Sequence, residues 1–161
     1  MNDKQVMVKM VFDRWYALLK NCDTLLNSLT DEQLLREIAP GKNRGIYLLG
    51  HLIAVHDDML PILGLGDKQH AELFEMFLKS PDSKSTEGIP SVGELRSHWS
   101  KQNVMLKEKF DGLTADDWFG KHNSVSAEDF IKEPHRNKLN IILTRTTHLA
   151  YHHGQLMLIK Q

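Results

Sequence analysis

The chain reads as an all-α protein, a four-helix bundle. Three observations predict this. Apolar residues recur at spacings of three and four along four long segments, helix start signals stand at the segment boundaries, and no stretch keeps the period-two alternation of a half-buried strand. With 161 residues the chain suits one domain, 1–161, long enough to bury a proper core.

The first helix is predicted over Lys4 to Ser28, where Val8, Val11, Phe12, Trp15, Leu18, Leu19, Cys22, Leu25, Leu26 and Leu29 continue one stripe. The second runs from Gly45 to Leu63, with Leu48, Leu52, Val55 and Met59 in phase, Pro61 in its last turn and Gly64 and Gly66 ending it. The third spans Ser91 to Phe110 and carries Leu95, Trp99, Gln102 or Asn103, Leu106 and Phe110 on one side. Ser91 and Glu94 open it in the S-x-x-E pattern, in which the serine caps a free amide and the glutamate bonds back. The fourth runs from Lys138 to the end through Ile141, Ile142, Leu149, Leu156 and Ile159. Thr30-Asp31-Glu32-Gln33 and Thr114-Ala115-Asp116-Asp117 have similar capping patterns and each starts a short helix.

The connection from Gly64 to Pro90 holds a short helix, Asp67 to Leu78. It far exceeds the two to eight residues that usually join antiparallel neighbours, so it can cross the bundle and let helices two and three run parallel. Its polar tail, Ser80 to Gly88, is expected to be mobile. The segment from Thr114 to Asn137 is expected to be a loop packed on the bundle through Trp118, Phe119, Phe130 and Ile131.

Twenty basic residues against twenty-one acidic ones leave no surplus for a nucleic-acid footprint, so nucleic acid is excluded as a partner class. No stretch approaches the ~18–20 continuous apolar residues of a membrane span, and the N-terminus lacks the layout of a signal peptide. The expected location is the cytoplasm. Cys22 is the only cysteine, which rules out an intrachain disulfide and a cysteine-based zinc cluster; at an apolar helical position it reads as packing rather than as a nucleophile.

The chemistry concentrates in histidine. His148 and His152 lie four apart, one turn above each other on one helix face, so both rings can reach one metal ion. The spacing alone is weak, because nine histidines produce about half an i, i+4 pair by chance. Both continue the row of Leu156 toward the interior, where two neutral imidazoles need partners for their nitrogens. The bland alternative is one hydrogen-bonded core histidine and one solvated at the bundle mouth. His51 is the candidate third ligand, preferred over His56, which is flanked by Asp57 and Asp58 and so reads as the outward one. His153 points about 100° away from His152, and His70, His98, His122 and His135 read as solvated. Asp57-Asp58 and Asp116-Asp117 read as surface or caps. The zinc-protease helix motif H-E-x-x-H fails at Leu149, and no nucleophile elbow, phosphate loop or dinucleotide fingerprint occurs. No catalytic residue is assigned; Tyr151 and Arg145 are near the pair in sequence, but face predictions do not place them.

Tyr47-Leu48-Leu49-Gly50-His51-Leu52 and His148-Leu149-Ala150-Tyr151-His152-His153-Gly154-Gln155, with Leu29-Thr30-Asp31-Glu32-Gln33-Leu34 after the first helix, resemble the DinB-like superfamily of metalloenzymes over nearly the whole domain. The resemblance implies an up-down-down-up bundle and a divalent metal, zinc or nickel, on His51, His148 and His152. It also implies homodimers. Characterised relatives of this kind include S-transferases and isomerases that use bacillithiol, mycothiol or glutathione. The expectation is a metal-dependent transferase acting on a small electrophile with a low-molecular-weight thiol, with hydrolysis by metal-activated water as the variant. The rival is a non-catalytic bundle binding a small ligand or protein partner, its histidines structural or vestigial.

Overall fold

The computed structural model describes residues 1–160. It is all-α: among these residues there is no strand, only the isolated bridges Glu37–Arg44 and Lys121–Asn137. The elements are α1 (Asp3–Ser28), α2 (Asp31–Leu34), α3 (Gly45–Asp57), α4 (Met59–Leu63), α5 (Ala71–Phe74), α6 (Val92–Asp111), α7 (Ala115–Phe119), α8 (Ala127–Lys132) and α9 (Lys138–Met157). A π-helical turn, Glu75–Lys79, extends α5, and a 3₁₀ turn, Leu158–Lys160, follows α9.

Caps fix the starts. Thr30, Ser91 and Thr114 each accept the amide three residues on and are bonded in return by Gln33, Glu94 and Asp117. Asn2 and Gln5 form a fourth reciprocal pair at α1, which the sequence reading did not include. Each pair satisfies two of the amides that a helix start leaves free.

The predicted second helix is two. Pro61 has no N–H to give the carbonyl of Asp57 and its ring crowds that carbonyl, so the rod steps at Asp58. Gly64, at φ +72°, then stops α4 while the Leu65 N–H reaches the Leu60 carbonyl at 2.8 Å. Gly45–Leu63, though interrupted by His51, His56, Asp57 and Asp58, is long and apolar enough by mean hydropathy to cross a membrane, but 72% of its apolar window is buried inside the fold. It is the core rod of the molecule.

Around it, α3 packs on α6, on α5 with its π turn, and on α9, while α1 packs on α9 and α7. Between α1 and α6 the ties include polar ones beside the Phe12–Phe110 ring contact: the Trp99 indole donates to Asp23 at 2.6 Å, and Arg96 donates to the Leu26 and Leu29 carbonyls. The α1 stripe enters the core as predicted, and Cys22 is fully enclosed, its thiol pushed up to about 12 by burial and then by Asp23.

Two connections differ from expectation. The segment 114–137 carries, besides the short helix expected after Thr114 (α7), a second one, α8; Trp118 is buried, whereas Ile131 is 81% exposed. The polar tail is tied down from Ser80 to Ser85. Asp82 accepts the Arg44 amide, Nε and Nη2 at 2.8, 3.1 and 2.7 Å, and Arg44 Nη2 also donates to the Ser85 carbonyl. Both side chains are almost fully buried. Asp57, read as surface or cap, is a buried cap: its carboxylate takes the Gln69 and His70 amides at 2.9 and 2.8 Å, anchoring the start of α5.

Candidate metal centre

α3 and α9 bring His51, His148 and His152 to one point. Their candidate ligand atoms all lie within 4.8 Å of one another. His148 Nε2 is 3.1 Å from His51 Nε2 and 3.1 Å from His152 Nε2. Tetrahedral Zn–N bonds of about 2.0–2.1 Å put ligand nitrogens about 3.3 Å apart, so these two spacings are close to those of nitrogens around one ion.

The other ring nitrogens set the tautomers. His51 Nδ1 lies 2.8 Å from the Phe77 carbonyl, which can only accept, so Nδ1 carries the proton and Nε2 keeps its lone pair. Phe77 belongs to the π turn, one of the last carbonyls of a helix end and therefore without an intrahelical donor. Tyr47 serves the same end, donating from its hydroxyl to the Ser80 carbonyl at 2.7 Å. His152 Nδ1 donates to Gln155 Oε1 at 2.7 Å, and the Gln155 amide donates in turn to the Tyr151 hydroxyl at 3.2 Å. Partners of this kind orient metal-binding imidazoles and raise their basicity.

His148 completes the set. Its Nδ1 is buried without a partner, and its Nε2 faces two nitrogens that are both acceptors. One proton on His148 satisfies one of them at most. At least one lone pair is left facing another nitrogen, an arrangement that a shared cation resolves. Charge state agrees: burial first, then His152 and His51, hold His148 down to about 4, and burial lowers His51 and His152. All three are neutral at pH 7, the form that binds metal. No carboxylate or thiolate joins the group. A three-imidazole set suits zinc, nickel, copper or iron rather than calcium or magnesium.

The inward–outward assignment of the α3 histidines is corrected. His56 is fully buried, between the rings of Trp15 and Trp99 at 5.0 and 5.2 Å, whereas His51 is partly exposed at the centre. The neighbouring aspartates misled because Asp57 itself turns inward. Of the histidines read as solvated, His122 is buried and accepts the Ser124 amide, His70 and His98 pack ring on ring at 4.2 Å, and His135 is exposed. Sequence reasoning missed the roles of Phe77 and Gln155. Gln155 was within reach, three residues after His152 on the same helix; a backbone carbonyl leaves no trace in the side-chain pattern.

A family model described as the DinB superfamily matches residues 14–156. No curated protein matches the chain.

Proposed function

The chain belongs to the DinB superfamily, and from that premise we propose that it is a divalent-metal-dependent enzyme whose ion, zinc or nickel, is held by Nε2 of His51, His148 and His152. The observation that carries the reading is the convergence of three Nε2 atoms with too few protons among them. The proposed reaction is transfer of a low-molecular-weight thiol to a small electrophile. An ion held by three neutral ligands supplies its full double positive charge and so favours the thiolate form of a bound thiol near neutral pH. The chain supplies the rest: Phe77 and Gln155 fix the rings that hold the ion, and Cys22, enclosed and protonated, leaves the sulfur to come from the substrate. The same reading takes α1, α3 with α4, α6 and α9 as the rods of an up-down-down-up bundle, supported by the long 64–90 connection, and includes a cytoplasmic homodimer.

Metal analysis of tag-free protein tests it. One equivalent of zinc or nickel per chain is expected, falling below about a tenth in His148→Ala. Bound metal at a hundredfold excess over Kd adds about 2.7 kcal/mol of stability, so chelator is expected to lower Tm. Protein without metal, melting alike with and without chelator, would favour the non-catalytic bundle. A conjugation screen with bacillithiol, mycothiol, glutathione and coenzyme A then tests the transferase assignment.

A further inference from the structure

Arg145 stands on α9 one turn before His148, in the row Arg145, His148, His152. Its charge is felt inward, since it contributes to the lowered pKa of His148, His51 and His56. The guanidinium is partly buried, and its Nε is enclosed with no hydrogen-bond partner. Among the described residues no salt bridge joins it to a carboxylate. The one acid whose field it feels, Asp58, is paired with Lys68 at 2.9 Å.

Among the described residues no second acid acts on Arg145. The histidine group contains no Asp or Glu. Deeper in, both nitrogens of His56 and both polar side-chain atoms of Asn103, which lies beside that ring, are enclosed without partners and uncharged at pH 7. An arginine cannot shed its proton to escape such a place, and a partly enclosed cation is stabilised by pairing with an anion. A divalent ion at the histidines would add two more positive charges. Among the described residues this corner therefore holds one fixed cation and unfilled hydrogen-bond capacity, and the one acid that acts on the cation is already paired with Lys68.

We propose that Arg145 is a specificity residue of this centre, its guanidinium pairing with a carboxylate on the small molecule that the three-histidine site takes. The proposal rests on the metal reading above and adds the substrate class. The planar fork of arginine matches the two oxygens of a carboxylate. Three residues, about 4.5 Å along the axis, separate Arg145 from His148, which suits a molecule with its carboxylate and its donor atom one or two carbons apart.

Cobalt-loaded protein, titrated with 3-mercaptopropionate, 2-mercaptoethanol and cysteamine, tests this through the visible cobalt spectrum. The three probes carry an anionic, a neutral and a cationic group. The anionic thiol is expected to bind at least about tenfold more tightly than the neutral one, the size of a charge-assisted pair, with cysteamine weakest. In Arg145→Gln the preference is expected to fall below about twofold, in Arg145→Lys to survive in part, and cobalt content to be undiminished in both. Equal affinities in the unmodified protein, or a preference that persists in Arg145→Gln, would overturn the proposal. A metal-free arm keeps the two readings apart: propionate is titrated while the Arg145 Nε–H signal, absent from Arg145→Lys, is followed by NMR. A protein that takes up no cobalt but shows a saturable shift of that signal refutes the metal reading and supports the anion site. No shift, with or without cobalt, refutes the anion site.

Discussion

A histidine enclosed without a partner is kept neutral by the cost of charging it, and His56 is the extreme case. Burial first, then the Arg145 and His148 charges, bring it down to about 3, against about 6.5 for an unfolded histidine. Between those values the unfolded chain binds a proton that the native fold refuses. Stability is therefore complete above pH 6.5 and declines as pH falls toward 3, by up to about 1.4 kcal/mol per unit. Urea unfolding of metal-free protein at pH 7, 6 and 5 is expected to show midpoints that fall steadily, and less steeply in His56→Phe, whose ring can stay between Trp15 and Trp99. Parallel slopes would mean that His56 titrates normally. At this scale the sequence was informative where the periodicity of one helix decided the answer, as for His148 and His152. It was misleading where a partner from another helix did: two tryptophans, 41 residues before and 43 after His56, enclose a ring that its acidic neighbours made look exposed.

The π turn is the element on which the centre's geometry turns, and it docks through one glycine. A Cβ at Gly50 would lie 2.6 Å from the Phe77 ring, far inside contact distance. The absence of a side chain there lets Phe77 close on α3 and brings its carbonyl to His51. Gly50→Ala gains helix propensity, about 1 kcal/mol, but must push a buried ring aside, which costs typically about 1–3 kcal/mol. The expected outcome is a Tm unchanged or lower by a few degrees, together with a zinc affinity reduced about tenfold as His51 loses its orienting carbonyl. Competition with a chromophoric chelator measures the second; an undiminished affinity would detach the π turn from the centre. The capped helices were readable because caps are local, two side chains three residues apart. The π turn was not, since its register is set by what Phe77 packs against, and the break at Asp58 needed the placing of Pro61 to be taken literally.

Across the whole molecule, the Arg44–Asp82 pair fastens the far end of the 64–90 connection to the start of α3. Burial would raise Asp82, but the hydrogen bonds from the Arg44 side chain and amide outweigh it and hold the carboxyl at about 2. Its contribution is therefore present above about pH 4 and is lost as pH falls through 2. Asp82→Ala strands an enclosed guanidinium and is expected to cost about 3–5 kcal/mol, read as a lower urea midpoint at pH 7; a loss under 1 kcal/mol would show that water replaces the carboxylate. The long rods and the length of this connection were legible from spacing and composition. Its anchoring was not, because nothing in a polar run marks which of its charges meets a partner 38 residues away.

Tethers at Asp57, Tyr47 and Arg44 divide that connection into a measured part and a spare part. From Gln69 to Asp82 the residue count is fixed, since adding or deleting one would carry Phe77 off station. From Thr86 to Gly88 the chain is exposed and carries none of these ties, before Ile89 returns to the core and Ser91 opens α6. Foreign peptide spliced between Thr86 and Glu87 should therefore be tolerated, which marks that spot as the place for a reporter and as the natural site of length variation.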